Sequence, residues 1–293
     1  MKEKIEEILH NYFKTNNFKV LNRLMGGMSN YTYLVSADDT KYTVRYPGEY
    51  CEEFVDRKLE EEGIQLFDSL NLTNKTIFFD VKNHIKISKY IEGRSLNELK
   101  MNNERLPFKK VKDLLKVVHQ SDLRCSQDYD PFARLEKYEK SLNNLGYQLP
   151  NEYLELREYF YSFKNYLESI EKVLCHNDSQ PSNFILTDND LKIVDFEFVG
   201  NNDFIYDIAC FANMDIVDGE ELLNVYFDYN VLNDYKKRFY LWRAFQCFQW
   251  FNVAMFKELV GMSKTLKLDF KMIAFTYLKY IKQNLDVVRT LDI

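Results

Sequence analysis

Apolar residues near the start of the chain recur at the spacing of one helical face. Ile5, Ile8, Leu9, Tyr12 and Phe13 fall at positions i, i+3, i+4, i+7 and i+8. This spacing is the stripe of an amphipathic helix. The pattern therefore predicts a first helix that packs its apolar side on the segments that follow.

Two short segments rich in β-branched and aromatic residues come next. Residues 31–36 (Tyr-Thr-Tyr-Leu-Val-Ser) and 41–46 (Lys-Tyr-Thr-Val-Arg-Tyr) flank the polar stretch 37–40 (Ala-Asp-Asp-Thr). Such a composition favours strands, and the short polar connection favours a hairpin. A helix from Glu52 to Leu70 and two more strands, at 76–80 and 84–91, are predicted to follow.

The C-terminal part follows helical periodicity from Gly93 onward, with one exception. Residues 183–186 and 191–194 are short apolar runs on either side of a polar turn, which predicts a hairpin. The fold class expected is therefore α+β. A small β-rich lobe would cover residues 1–90, and a larger, mainly helical lobe would cover residues 91–293.

Composition and charge narrow the function classes. Apolar residues make up 46% and aromatic residues 16% of the 293 positions, which is enough for a packed core. The 39 basic and 45 acidic residues are spread along the chain and give a net charge of −6. This distribution leaves no basic patch for nucleic acid or an anionic membrane. We therefore expect neither of these as a partner.

The cysteines and the N-terminal segment bear on location. The five cysteines are widely spaced, with no CxxC pair, which indicates neither a disulfide framework nor a zinc site. The first residues interrupt their apolar positions with charge, unlike a signal peptide, and no apolar run reaches the roughly 18 residues of a membrane span. The location expected is the cytoplasm.

Three oxygen-bearing side chains mark the edges of the predicted hairpin. Asp178 is followed by Asn183 five residues later and by Asp195 twelve residues after that. Because Asn183 begins the hairpin and Asp195 leaves it, both are expected at one edge, beside the loop that carries Asp178. Hard oxygen ligands of this kind suit Mg²⁺. Phosphoryl transfer uses such a set, with a loop Asp as the base and an Asn and an Asp on the metal.

The segments around these positions resemble the choline/ethanolamine kinases, within the kinase-like aminoglycoside phosphotransferase superfamily. Residues 175–183 (Cys-His-Asn-Asp-Ser-Gln-Pro-Ser-Asn) look like the catalytic loop of that family, and residues 195–197 (Asp-Phe-Glu) look like its metal-binding segment. Residues 26–30 (Gly-Gly-Met-Ser-Asn) resemble its phosphate-covering turn, and residues 90–93 (Tyr-Ile-Glu-Gly) resemble its hinge. The resemblance implies a bilobal, protein-kinase-like fold.

The resemblance also implies roles for individual residues. Asp178 would be the catalytic base, with Asn183 and Asp195 on Mg²⁺. Arg45 would grip the α- and β-phosphates of ATP, with Glu60 as its ion-pair partner. The other residues implied in nucleotide binding are Met28, Ser29, Asn30, Lys89, Ile91 and Gln180.

For the acceptor, the residues implied are Asp178, Glu197, Tyr206 and Trp250. Aromatic faces bind quaternary ammonium groups, and Trp250 aligns with the first Trp of a WxxW segment of the family. The second Trp position is Val253, and the position of an acidic residue in the family is Met214. Asp215, Asp218 and Glu220 are candidates for the missing charge.

Together these features predict a kinase that uses ATP and Mg²⁺ to phosphorylate the hydroxyl group of a small amino alcohol. Choline, which would yield phosphocholine, is the first candidate. Ethanolamine, another small alcohol and an aminoglycoside-type acceptor stay open. A catalytically silent, kinase-like binding module is the alternative from another class, and the oligomeric state is left open.

Overall fold

The computed structural model describes residues 2–14, 17–24, 30–50, 53 and 55–291. The strands are β1 (Phe18–Leu24), β2 (Asn30–Ala37), β3 (Thr40–Pro47), β4 (Thr76–Asp80), β5 (Ile85–Lys89), β6 (Arg94–Ser95), β7 (Val173–Cys175), β8 (Phe184–Leu186), β9 (Leu191–Ile193) and β10 (Gly200–Asn202). The helices are α1 (Lys2–Phe13), α2 (Arg57–Ser69), α3 (Leu96–Met101), α4 (Phe108–His119), α5 (Pro131–Asn144), α6 (Asn151–Tyr161), α7 (Lys164–Glu168), α8 (Ile205–Cys210), α9 (Ile216–Tyr226), α10 (Asn233–Leu259), α11 (Met262–Leu266) and α12 (Phe270–Leu291).

The chain divides into two compact units. Unit 1 comprises residues 1–127 and 178–200, and unit 2 comprises residues 128–177 and 201–293. The antiparallel sheet of the N-terminal part and the mostly helical C-terminal part confirm the predicted α+β class. The lobe boundary that we placed at residue 90 stays a prediction.

Unit 1 contains a five-stranded antiparallel sheet with the order β1-β2-β3-β5-β4. The predicted hairpin is formed by β2 and β3, which Asp38 and Asp39 connect. Both residues have positive φ, 47° and 61°, as a type I′ turn requires, so the turn follows the twist of the strands. Strand β1 was not predicted, because a shift in register between Val20 and Asn22 breaks the alternation that marks a strand.

The predicted first helix is confirmed as α1. Ile5 and Leu9 are fully buried and belong to one apolar cluster with Val35, Val44 and Ile87 of the sheet. Burial of one helix stripe against a sheet is the arrangement that its apolar spacing predicts. Helix α1 therefore covers one face of the sheet.

Helix α2 begins at Arg57, later than the predicted start at Glu52, which lies outside the described residues. Asp56 is the N-cap, and its carboxylate accepts hydrogen bonds from the backbone N–H groups of Lys58 and Leu59. Such a cap satisfies amide groups that the first turn leaves without partners. The cap fixes the start of the helix, so Arg57 and Glu60 both lie in its first turn.

The second predicted hairpin is formed by β8 and β9, and β6 pairs with the other edge of β8. Thr187 closes the turn: its N–H donates to the carbonyl of Asp190 at 2.9 Å, and its hydroxyl oxygen accepts from the N–H of Asp190 at 2.9 Å. A 3-10 turn, Pro181–Asn183, comes directly before β8. Asn183 thus lies where the turn becomes the strand.

Unit 2 is organised around α10, a helix of 27 residues. Helices α5, α8 and α12 pack against it. Trp242, Phe245, Phe248 and Phe251 are each at most 2% exposed, so these aromatic residues form the core of unit 2. Within the part of the chain that the structure describes, no helix has both the length and the apolar character needed to cross a membrane.

Candidate active site

The catalytic-loop carboxylate in unit 1 is held by two side-chain amides. Nε2 of Gln180 donates to both oxygens of Asp178, at 3.1 and 3.2 Å. Nδ2 of Asn183 donates to Oδ2 of Asp178 at 2.9 Å and to its backbone carbonyl at 2.8 Å. These bonds fix the orientation of a half-buried carboxylate. Gln180, predicted to contact the nucleotide, therefore contacts the predicted base, and its nucleotide contact stays a prediction.

The environment of Asp178 favours the protonated form of its carboxyl group. Burial, and then the neighbouring charge of Asp195, raise the pKa of Asp178 well above its usual value, although the bonds from Asn183 and Gln180 lower it. A carboxylate with a raised pKa is a stronger proton acceptor once it is ionised. The position suits a general base.

Asp195 and Asn183 are brought together by the hairpin. The N–H of Val194 donates to the backbone carbonyl of Asn183 at 2.9 Å, which joins the end of β9 to the turn before β8. Asp195 has a φ of 74°, a conformation that non-glycine residues rarely adopt and that is concentrated at functional sites. Its side chain is 36% exposed. Because Nδ2 of Asn183 donates to Asp178, Oδ1 is the side-chain atom of Asn183 that could coordinate a cation.

A second group of carboxylates lies beside Asp195. One carboxylate oxygen from each of Glu60, Asp195 and Glu197 falls within 4.8 Å of the others. Arg45 is the common partner: it forms a short ion pair with Glu60, and its Nη1 lies 3.2 Å from Asp195 and 3.4 Å from Glu197. The expected contact between Arg45 and Glu60 is therefore present.

Opposite charges keep Glu60 ionised although it is fully buried. Burial alone opposes ionisation, but Arg45, Lys86 and Arg57 together lower the pKa of Glu60 to about 2. Glu197 behaves differently: burial and the charge of Asp195 raise its pKa, despite Arg45 and Arg57. The two carboxylates therefore share Arg45 and Arg57 as ion-pair partners.

Arg57 completes this network and was missed by the sequence analysis. It is 4% exposed, and its Nη1 lies 2.6 Å from Glu60 and 2.7 Å from Glu197. Its Nη2 donates to Oδ1 of Asn30 at 2.9 Å, and Nδ2 of Asn30 donates to Glu197 at 2.5 Å. The signal available was the spacing of three residues between Arg57 and Glu60 on one helix.

The structure describes only some of the predicted nucleotide-binding residues. Asn30 lies at the start of β2 and contacts Glu197 and Arg57, whereas Met28 and Ser29 lie outside the described residues. At the predicted hinge, the N–H of Lys89 donates to the carbonyl of Lys75 at 2.9 Å. The carbonyl of Lys89 accepts from Nδ2 of Asn74 at 2.6 Å. The roles of Lys89 and Ile91 stay predictions.

In unit 2, a buried carboxylate orders the start of the catalytic loop. Asp207 accepts hydrogen bonds from the backbone N–H groups of His176 and Asn177, at 2.9 and 2.7 Å. Asn202 donates from Nδ2 to the side-chain oxygen of Asn177 at 2.8 Å. These contacts hold residues 176 and 177 in place, and Asn177 has a φ of 60°.

The aromatic acceptor candidates of unit 2 differ in exposure. Tyr206 is 1% exposed, and its hydroxyl lies 3.1 Å from that of Tyr129; its contact with an acceptor stays a prediction. Trp250 is half-buried, and its ring stacks on Tyr277 with centroids 6.4 Å apart. Tyr277 was also missed by the sequence analysis, because it lies on another helix, α12, 27 positions after Trp250.

The positions that depart from the family pattern are also visible in unit 2. Val253 is 7% exposed and Met214 is 58% exposed. Asp215 caps α9 by accepting from the N–H of Val217, and Glu220 accepts from the hydroxyl of Tyr240 at 2.6 Å. Asp215 and Glu220 therefore already have partners within unit 2.

Comparison with known proteins gives the family. The model of the choline/ethanolamine kinase family matches residues 21–240. Protein LicA of Haemophilus influenzae is 27% identical over 188 residues, a match that spans 63% of this chain and 55% of that protein.

Solved structures give the fold. The choline kinase LicA from Streptococcus pneumoniae superposes with a TM-score of 0.74 at 24% identity, covering 95% of this chain and 99% of that one. An aminoglycoside phosphotransferase in complex with gentamicin superposes with a TM-score of 0.66 at 19% identity, covering 95% and 96%. The expected kinase-like fold is confirmed. With a family match over three quarters of its length, the chain belongs to the choline/ethanolamine kinase family, whose members are phosphotransferases that act on an alcohol group.

Proposed function

We propose that this protein transfers the γ-phosphoryl group of ATP to the hydroxyl group of a small amino alcohol, with choline as the first candidate acceptor. The observation that carries the proposal is the setting of Asp178, which Asn183 and Gln180 orient by hydrogen bonds. The same unit holds Asp195 and the pair of Arg45 and Glu60. These are the parts that phosphoryl transfer requires.

Asp178 would accept the proton of the acceptor hydroxyl as the oxygen attacks the γ-phosphorus. The amides of Asn183 and Gln180 fix the carboxylate in advance, so little reorganisation is needed during transfer. Because its pKa is raised, the rate should increase with pH as Asp178 becomes ionised.

The residues present fit a Mg²⁺ ion. Asn183 and Asp195 would hold it, because an amide oxygen and a carboxylate are hard oxygen ligands. The metal would supply neutralisation of the phosphate charge. The phi angle and partial exposure of Asp195 agree with a position kept for a ligand.

Arg45 fits the phosphates of ATP. Its Nη1 lies 3.2 Å from Asp195, the carboxylate proposed to hold the metal, so its positive charge lies beside the place proposed for the phosphates. Glu60 stays ionised at neutral pH because its pKa is lowered to about 2, and it holds the guanidinium in one orientation.

Ethanolamine is the second candidate acceptor. The stacked rings of Trp250 and Tyr277 would offer faces to a cationic head group. However, Val253 replaces the second ring of the family pattern and Met214 replaces its acidic residue, and both changes weaken the case for a fully methylated ammonium. A cytoplasmic location and the absence of nucleic-acid partners stay predictions.

ADP release from Mg·ATP tests the proposal, measured with choline, ethanolamine, an aminoglycoside and no acceptor. We expect release that depends on choline or ethanolamine and phosphorylated product detected by mass spectrometry. Binding of Mg·ATP without turnover on any acceptor would instead identify a silent binding module. Aminoglycoside-dependent release alone would move the protein to the antibiotic-modifying branch of the superfamily.

A further inference from the structure

Two buried arginines on helix α10 differ in their partners. Arg238 is 4% exposed and Arg243 is 3% exposed. Arg238 lies 2.7 Å from Asp203 and 3.0 Å from Asp234. Over the described residues, Arg243 has no carboxylate within ion-pair distance. A buried cation without a counter-charge is costly, so the second arginine requires an explanation that the first does not.

Neutral oxygens are the partners of Arg243. Its Nη1 donates to Oε1 of Gln246 at 3.2 Å, and its Nη2 lies 3.5 Å from Oδ1 of Asn213. Both distances are long for charge-assisted hydrogen bonds. The full positive charge is therefore solvated weakly by two amides.

The guanidinium lies next to the aromatic acceptor candidates of the same unit. The hydroxyl of Tyr277 also reaches Oδ1 of Asn213, at 3.4 Å, and Tyr277 stacks on Trp250. Asn213 and Tyr277 are both partly exposed. Arg243 is buried, but its partner Asn213 is partly exposed and also contacts the partly exposed Tyr277.

We propose that Arg243, with Asn213, forms a subsite for an anionic group, a carboxylate, carried by the acceptor. This inference rests on the proposed function and narrows its substrate class to zwitterionic amino alcohols. The ammonium group would contact the ring faces of Trp250 and Tyr277, and the carboxylate would pair with Arg243.

The residue after Asn213 supports this class. Where the family pattern has an acidic residue, this chain has the exposed, uncharged Met214. The residue next to Asn213 in the sequence therefore brings no negative charge that would repel a carboxylate.

Two acceptor pairs that differ by one carboxylate test the subsite: ethanolamine with serine, and choline with N,N,N-trimethylserine. In the wild type, kcat/KM should be roughly ten- to a hundredfold higher for the carboxylated member, as expected for one hydrogen-bonded charge. Serine methyl ester, which lacks the negative charge, should behave like ethanolamine. Arg243→Gln should remove the preference, and Arg243→Lys should keep part of it, because the charge remains without the planar fork.

Arg289→Gln is the matched control, because Arg289 is an exposed arginine of α12 that pairs with Asp286. It should leave the preference unchanged. Melting temperatures provide a measurement independent of turnover: serine should raise that of the wild type and not that of Arg243→Gln. Inorganic phosphate serves as the free-anion probe.

Equal kcat/KM within both pairs would overturn the inference, while turnover of choline or ethanolamine would keep the proposed function. Absence of turnover with every acceptor would overturn the proposed function. In that case the melting temperatures still test the subsite. The subsite is rejected if serine raises the melting temperature of the wild type no more than that of Arg243→Gln. Protection by phosphate that is lost in Arg243→Gln, without protection by serine, would also reject it, because the arginine would then bind a free anion.

Discussion

The charged network of unit 1 and the aromatic region of unit 2 are built from different interactions. Arg45 and Arg57 each lie within 3.4 Å of at least two carboxylates, so each charge is held by several partners. Trp250 and Tyr277 meet through ring faces 6.4 Å apart. Charge pairs in a buried setting depend on every member, whereas ring contacts depend on area. Substitutions should therefore have large effects in the first region and graded effects in the second.

The largest effect is expected for Asp178→Asn. Turnover should fall about 10²- to 10⁴-fold, because the proton acceptor is lost, while Mg·ATP affinity and the melting temperature are kept. The raised pKa means that the ionised carboxylate is disfavoured in the folded protein, so the neutral amide should be at least as stable at neutral pH. Steady-state kinetics at saturating ATP and acceptor check this, and near-normal turnover would remove Asp178 as the base.

The second effect compares Asp195→Ala with Asn183→Ala. Asp195→Ala should weaken Mg·ATP binding about tenfold or more, and by more than Asn183→Ala does, because a carboxylate contributes charge and an amide only a dipole. Calorimetric titration of Mg·ATP into each variant measures the order. Undiminished binding in both would move the metal site away from the hairpin.

The third effect concerns stability and its dependence on pH. Glu60→Gln should lower the free energy of unfolding by about 3 kcal/mol at neutral pH, because it removes a charge from a buried network. The pKa of Glu60 is lowered to about 2 from an unfolded value of 4.5. Its stabilisation is therefore fully present above pH 4.5 and is lost as the pH falls towards 2.

Urea denaturation of both proteins across this pH range measures the difference. Glu61→Gln, at an exposed neighbouring position of the same helix, is the control and should change stability little. A difference between wild type and Glu60→Gln that does not shrink in acid would mean that the charge of Glu60 is not what stabilises the network.

The two regions also differ in how much of each could be predicted from the sequence. Asp178, Asn183 and Asp195 were found because one hairpin brings them together within 18 positions, and local patterns predict hairpins well. Arg57 was overlooked although the predicted helix contained it, because its partners Asn30 and Glu197 lie 27 and 140 positions away in the sequence. Local patterning therefore predicted the chemical groups of unit 1 but not all their partners.

The aromatic region was less predictable for a physical reason. A stripe of Phe and Trp on a helix has the same pattern whether it lines a core or a site, and only packing separates Trp242, at 2% exposure, from the half-buried Trp250. The ring that stacks on Trp250 comes from another helix, and the bulge in β1 is likewise set by its neighbouring strand. Such features depend on contacts between distant segments, which a single sequence does not encode locally.

The smallest effect is expected for the stacked pair in unit 2. Trp250→Ala should raise the acceptor KM about 2- to 30-fold, the equivalent of one cation–π contact of roughly 0.5–2 kcal/mol, and should leave the KM for ATP unchanged. Trp250→Phe should be milder, because a smaller face remains.

The matched variant is Tyr277→Phe, which keeps the stacked ring and removes the hydroxyl that reaches Asn213. If the ring face binds the acceptor, Tyr277→Phe should change the acceptor KM less than Trp250→Ala does. The contrast between the regions would fail if Trp250→Ala lowered the melting temperature and left every acceptor KM unchanged. Trp250 would then be part of the core like Trp242, and the ammonium group would have to be bound by other residues.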